Sequence, residues 1–351
     1  MDTSIALILA QDGITTGAVY ALLAVGLVLV FAVTRVIFIP QGEMVAYGAL
    51  TIATLQAGSF PATAWLLAAM GLAVFAIDLV GKLRTAGEPV SSAQLLRSAL
   101  MNLAWPIAAV LLLKGLPVKT LALPVQIALT LAIVAPLGPM LYRLAYEPLA
   151  QSSVLVLLIV SVAVHFVMLG LGLVMFGAEG MRSMPFSELR IEAGPLMLTG
   201  QGLSVIAASV LIMVALSVFF SLTVAGKALR ATAVNRLGAR LMGIEVGRSG
   251  RLAFMLAGLI GAFSGVLIGP VTTLYYDSGF LIGLKGFVGA IIGGMISYPI
   301  AAGGALLVGL IEAYASFSAS AYKEVIVFTL IVPVLAWRSL TSHTLLEDEE
   351  S

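Results

Sequence analysis

Ser153-Val-Leu-Val-Leu-Leu-Ile-Val-Ser-Val-Ala-Val-His165-Phe-Val-Met-Leu-Gly-Leu-Gly-Leu-Val-Met-Phe176 contains no carboxylate, lysine or arginine. As an α-helix at about 1.5 Å per residue it is about 36 Å long, enough to cross about 30 Å of hydrocarbon. A helix that is apolar all round is either deep in a core or in lipid. The rest of the chain decides for lipid. Of its 351 residues 61% are hydrophobic and 10% charged, and the mean hydropathy is +1.12, whereas a soluble domain carries about 25% charge. At about 20 residues per crossing the apolar residues suffice for about ten crossings. The sequence reads as an all-α, polytopic transmembrane helical bundle of about 9–11 spans.

The same composition excludes several classes of function. With no cysteine, disulfide scaffolds, thiolate metal sites and thiol nucleophiles are out. A net charge of +1 argues against a nucleic-acid partner. Two histidines, His165 and His343, leave little for metal or acid-base chemistry, so neither a cofactor nor a metal is expected. Met1-Asp2-Thr3-Ser4 lacks the basic start of a cleaved signal, and the first span is expected to be retained. No stretch of roughly 50 polar-rich residues provides a soluble domain, so residues 1–351 read as one membrane domain whose energy source lies elsewhere.

Apolar runs bounded by charge, Gly or Pro fall near 14–34, 42–57, 61–80, 97–114, 119–141, 153–176, 203–223, 251–269, 284–297, 300–316 and 325–337. Those at 42–57 and 284–297 are too short to cross unaided, and each is either a half-helix or an enclosed interior helix. Lys and Arg are retained on the cytoplasmic side. Arg35, Lys82, Arg84, Arg97, Arg143, Lys227, Arg230, Arg236, Arg240, Arg248, Arg251 and Arg338 fall on one side, and Lys114, Lys119, Arg182, Arg190, Lys285 and Lys323 on the other. The imbalance places the 224–250 loop and the acidic tail at 339–351 in the cytoplasm.

That loop reads Gly226-Lys-Ala-Leu-Arg230-Ala-Thr232-Ala-Val-Asn235-Arg-Leu-Gly-Ala239-Arg-Leu-Met-Gly243. Good helix formers between Gly226 and Gly243 predict a helix with a glycine stop, although Gly238 interrupts it. At about 100° per residue, Ala228, Thr232, Asn235 and Ala239 share one stripe. Such a stripe of short side chains either docks a cytoplasmic protein or packs on the ends of its own spans. Its basic residues point to different sides, unlike a helix lying on anionic lipid.

The loop, from Gly226 through Arg230, Asn235 and Ala239 to Met242-Gly243-Ile244, closely resembles the coupling loop of branched-chain amino-acid ABC importer permeases of the LivH type. Phe254-x-x-x-Gly258-x-x-Gly261-Ala-x-x-Gly265, Lys285-Gly286-Phe287, Gly293-Gly294, Gly303-Gly304 and Gly309-Leu-Ile-Glu312-Ala continue it. Upstream, Gly17-Ala-Val-Tyr20 through Gly26, Gln41-Gly42-Glu43 and Tyr142-Arg143…Tyr146-Glu147-Pro148-Leu149 also resemble the family. The resemblance covers about residues 13–57 and 136–338. It implies docking of cytoplasmic ATP-binding subunits at Gly226, Arg230, Thr232, Asn235, Ala239 and Gly243, pairing with a second homologous permease or a second copy, and delivery of a small amphipathic solute by an external binding protein. Two departures stand out. The family commonly reads I-N-F-A-H-G-E where this chain has Ile37-Phe38-Ile39-Pro40-Gln41-Gly42-Glu43, and an insertion at about 81–118 adds a span.

Residues of the pathway or of helix packing are expected among Gln41, Gly42, Glu43, His165, Gly261, Gly265 and Glu312. Gly261, Gly265 and Gly269, Gly13 and Gly17, and Gly289 and Gly293 form small-xxx-small rows that let helices touch, whether inside the bundle or against another permease. Ionisable groups at membrane depth point to function by default. Glu43 reads as a first-turn cap as readily as a pathway residue, His165 as hydrogen-bonded or liganding, and Glu312 as held by a tyrosine or backbone amide or as a gate. Asp78 is expected to reach Lys82 four residues on. The stretch 177–202, with Arg182, Glu188, Arg190 and Glu192, and the 270–283 loop with Tyr275, Tyr276 and Asp277 are the expected contacts of the binding protein.

The alternative is an ion-coupled secondary transporter with midplane sites on broken helices. An intramembrane enzyme is disfavoured: Gly247-Arg-Ser-Gly250 lies between arginines and far from His165, and no metalloprotease motif occurs. No phosphate-binding loop occurs either, since Gly81-Lys82 is followed by Leu83 and Gly226-Lys227 by Ala228. No residue is assigned a catalytic role.

Overall fold

In lipid every backbone polar group must be satisfied within the protein, which leaves helices as the route across for this composition. The computed structural model describes residues 3–84, 99–193 and 196–347. In chain order its helices are α1 (Thr3–Thr34), α2 (Gln41–Ala57), α3 (Thr63–Arg84), α4 (Trp105–Gly115), α5 (Leu123–Val134), α6 (Leu137–Leu141), α7 (Val154–Phe176), α8 (Gly200–Leu222), α9 (Val224–Val234), α10 (Arg236–Leu241), α11 (Val246–Ile268), α12 (Ser278–Ile292), α13 (Tyr298–Ser318), α14 (Lys323–Thr329) and α15 (Ile331–Glu347). Among the described residues eight helical stretches are long and apolar enough to cross a membrane. The chain is a polytopic helical bundle. Each apolar run of the sequence is helical, but the run expected at 284–297 begins earlier, at Ser278, and stops at the Gly293-Gly294 pair, where Gly294 (φ 65°) and Met295 (φ 58°) turn the chain. A short antiparallel hairpin, β1 (Arg190–Ala193) and β2 (Leu196–Thr199), is an addition to the expected all-α bundle. Arg97, the 85–98 part of the expected insertion, and the tail from residue 348 lie outside the described residues.

The two short helices are placed by the same device. After α1 the chain turns at Arg35 (φ 63°) and returns into the bundle, where Gln41 Nε2 donates to the carbonyl of Leu23 at 3.2 Å. Leu23 precedes the end of α1 by about eleven residues, or about 16 Å. Thus α2 starts deep inside, and Gln41 through Gln56 are all buried. Too short to span, it is enclosed by protein instead. At the other end of the bundle, where the hairpin lies, α11 is followed by residues 269–277. These bond through Met181 and Leu274, and Arg182 donates to the carbonyls of Pro270 and Val271. The chain then re-enters as α12. A Cβ on Gly42 would collide with the Gly279 carbonyl, and one on Gly279 with that of Gly42. The starts of α2 and α12 therefore meet backbone to backbone.

The pairs α1–α2 and α11–α12 run in opposite directions and contact one another as a central group of four. The remaining glycine rows fasten this group from within the chain. Gly265 faces the Val45 carbonyl of α2, where a Cβ would collide, Gly261 faces Met44, Gly17 faces Leu306 of α13, and Gly289 and Gly293 face Ala305 and Ala301. These glycines pack inside the bundle. Towards the outside, α3 and α4 form a hairpin joined to α5 by Trp105 Nε1 donating to the Ala132 carbonyl at 2.8 Å. Asp78 accepts from Arg143 at 2.6 Å and from Asn102 at 3.2 Å.

Because Gly265 has no room for a methyl group while a Cβ at Gly303 meets nothing within 4 Å, Gly265→Ala should cost about 1–3 kcal/mol by overpacking. Gly303→Ala should be neutral or stabilising by up to about 1 kcal/mol. Thermal unfolding of both variants in detergent checks this; equal Tm values contradict the packing assigned to Gly265.

Candidate functional site

The meeting point of α2 and α12 borders a cavity of about 220 Å³. Leu23 and Leu27 of α1, Ile37, Phe38, Ile39 and Gln41 of the re-entrant segment, Leu158 of α7, and Phe280, Gly283, Leu284 and Phe287 of α12 line it. Gln41 supplies the one polar side chain of that wall. Its Nε2 is held by Leu23, whereas its buried Oε1 has no hydrogen-bond partner. Such a cavity suits an apolar body with little polar surface.

Two buried polar clusters draw on the helices that form it. Glu43, 1% exposed, holds His165 Nδ1 at 2.7 Å from its Oε1. The carboxylate expected to cap α2 and the histidine expected to find some hydrogen bond are thus each other's partner, 122 residues apart in sequence. Sequence spacing gives no sign of this. One turn on, Tyr47 donates to the Met168 carbonyl at 2.6 Å, so α2 and α7 are tied twice along one face. In the second cluster, buried Lys285 of α12 pairs with Glu312 of α13 and, at 3.2 Å, with Glu324 of α14. Tyr20 of α1 donates to Glu312 Oε2 at 2.8 Å, the tyrosine partner that was one of the readings of Glu312. Lys285 escaped the sequence-based site set because it was counted as a loop charge. Its flanking glycines, Gly283 and Gly286, are the available hint of a packed helix.

The loop between α8 and α11 departs from expectation. Asn235 leaves the helical conformation (φ −149°, ψ 104°), and its side chain caps the Gly238 amide at 2.8 Å, so two short helices replace one. Asn is a strong helix starter, and Gly238 weakens the helix it would otherwise continue. Gly243 (φ 80°) provides the expected stop, with Ile244 N–H bonded to the Ala239 carbonyl. The short-side-chain stripe is divided: Thr232 and Ala239 face inwards, Ala228 is half-buried and Asn235 is exposed. Thr232 is fully buried and donates to Ser249 of α11 at 3.2 Å, Ala239 is buried, and Gly226 is packed against Phe219 and Phe220. The exposed side holds Val234, Leu237, Leu241 and Met242, between 69% and 87% exposed, with Arg230 and Arg240 beside them. Arg236 is half-buried, and burial lowers its pKa from the ordinary arginine value. At the same end Glu147 binds Arg143 at 3.0 Å and Arg251 at 3.1 Å, and Arg251 and Arg248 both reach Glu245.

Residues 97–335 match the family described as branched-chain amino acid transport system, permease component. The chain belongs to this permease family. The high-affinity branched-chain amino acid transport system permease protein LivH of Escherichia coli K12 is 26% identical over 340 residues, 92% of this chain and 91% of the relative. LivH of Salmonella typhimurium is equally similar, and BraD of Pseudomonas aeruginosa is 25% identical over 346 residues, 93% and 92% of the two chains. No solved structure matches significantly. Within the family pattern, Phe38 and Gln41, which stand where Asn and His are common, both lie in the cavity wall.

Removing one partner of a buried ion pair leaves the other charge stranded, at about 3–5 kcal/mol. Lys285→Met should therefore lower stability by about that much, and Glu312→Gln in the same chain should restore part of it. Denaturation in mild detergent reads both; a single variant as stable as the parent contradicts a paired Lys285.

Proposed function

We propose that this chain is the membrane-spanning permease subunit of an ATP-driven importer in a bacterial inner membrane. An external binding protein delivers a small amphipathic solute, which passes between α1, α2, α7 and α12. The cavity where two interrupted helices of opposite direction meet carries this reading, because transporters commonly place their sites at such a repeat interface near midplane. Gln41 lines it, and Gly42, Glu43 and His165 stand behind that lining; Gly261 and Gly265 hold α2 against α11, and Glu312 holds Lys285.

The segment from Thr223 to Glu245 is assigned to the cytoplasm by the excess of basic residues at that end. Its exposed apolar side, Val234, Leu237, Leu241 and Met242 with Arg230, is the docking face for ATP-binding subunits. Gly226, Thr232 and Ala239 build its inner face, Asn235 divides it, and Gly243 ends it. Fastening of the inner face to α11 through Thr232 and Ser249 gives a rigid route from a docked subunit to the helix that carries α2. At the opposite end the Arg182 segment, the hairpin and Tyr275 form one surface, proposed for the binding protein. A second copy or homologous permease completes the assembly. An ion-coupled secondary transporter is less favoured, because Glu43 and Glu312 each already face a basic side chain.

Uptake of radiolabelled leucine, amides or urea into vesicles should require co-expressed ATP-binding subunits and hydrolysable ATP. Uptake by this chain alone, driven by an ion gradient, sinks the importer reading. A Leu241→Asp, Met242→Asp chain should lose at least tenfold in co-purifying ATP-binding subunit while staying monodisperse. Undiminished co-purification removes docking from that face.

A further inference from the structure

Phe280, in the first turn of α12, is part of the cavity wall, whereas neither Glu43 nor His165 is. The His165 ring lies against Phe280, with centroids 4.6 Å apart and planes at 33°. Offset rings at this distance attract. The imidazole is held in turn by Glu43, 2.7 Å from its Nδ1. Whichever of the two carries the proton, this bond fixes the rotation of the ring about its Cβ–Cγ bond, a torsion that is otherwise soft. The α2 backbone that carries Glu43 is tied to α7 one turn on, where Tyr47 donates to the Met168 carbonyl. Three helices are thereby coupled in series: α2 holds a ring of α7, and that ring backs a wall of α12.

We propose that Glu43 and His165 are positioning residues for Phe280, which sets the cross-section of the cavity, and that neither of them touches the solute. Resting on the cavity as the pathway, this makes Phe280 the residue that determines which solutes fit. Loss of the Glu43 bond frees the imidazole to turn, Phe280 loses its backing, and the wall opens.

The chain has no cysteine, so a single Leu27→Cys in the wall, at a position 2% exposed, reports opening by its reaction with N-ethylmaleimide. The full-length chain in nanodiscs is used, without partners or transport. Glu43→Ala should raise the labelling rate at least fivefold, and Glu43→Gln, which keeps the acceptor oxygen, should stay within twofold. His165→Phe keeps a ring against Phe280 with no bond to Glu43; in that background Glu43→Ala should add less than twofold, the coupling a double-mutant cycle isolates. If Glu43→Ala does not yield monodisperse protein, His165→Ala against His165→Phe decides, with fast labelling expected of the first alone. Unchanged labelling in Glu43→Ala, an equal rise in the His165→Phe background, or equal rates for His165→Ala and His165→Phe overturns the proposal. Because labelling needs no ATP-binding subunit, its failure alongside intact ATP-dependent uptake rejects the positioning role alone, and the converse rejects the importer reading alone.

Discussion

The contact between the starts of α2 and α12 is the constraint on which the rest depends. In hydrocarbon an interrupted helix exposes backbone groups that cost several kcal/mol each, so broken helices survive where protein encloses them. Gly42 and Gly279 let two such breaks lie against one another with no side chain between, and Gly283 extends the contact. Around them α1 and α11 supply the long walls, and glycines at positions 26, 261 and 265 bring those walls to van der Waals distance of α2. Replace any of these close approaches with a bulkier residue and α2 has neither the length to span nor a surface to hide against.

The charges follow the same logic. A carboxylate, an imidazole and an ammonium group buried inside the bundle are tolerated because each is paired: Glu43 with His165, and Lys285 with Glu312 and Glu324. These pairs connect α2 to α7, far apart in the chain, and α12 to its successors α13 and α14. Since buried pairs contribute little net stability against apolar replacements, their value lies in fixing how the helices register around the cavity. At the end bearing the α9–α10 loop the ion pairs around Glu147 and Glu245 are partly exposed, and they hold α3, the turn at 142–149 and α11 in one cluster.

Composition and apolar runs were enough to read the bundle, because lipid imposes a single rule over every 20 residues or so. The short runs at 42–57 and 284–297 were recognisable as anomalous from length alone, and Pro40-Gln41-Gly42 marked the break. Partnerships were not legible. Nothing near Glu43 in sequence points to His165, and Lys285 reads as a loop charge until Glu312 is seen beside it. The helical wheel failed at Asn235, where a local side-chain cap competes with the helix and turns the following residues. Thr232 ahead of it and Ala239 beyond it are both buried. An apolar rim of Val234, Leu237, Leu241 and Met242 takes the place of the small-residue stripe.

The central claim is that two interrupted helices meet at mid-depth and enclose the path of the solute. An electron cryomicroscopy map of the chain in nanodiscs, assembled with its ATP-binding subunits and trapped with the transported solute, tests it most directly. The account predicts an α2 that begins beside Leu23, in backbone contact with Gly279, and solute density between Leu27, Phe38, Gln41 and Phe280. An α2 continuous with a full crossing, or solute density outside the space bounded by α1, α7 and α12, would contradict it.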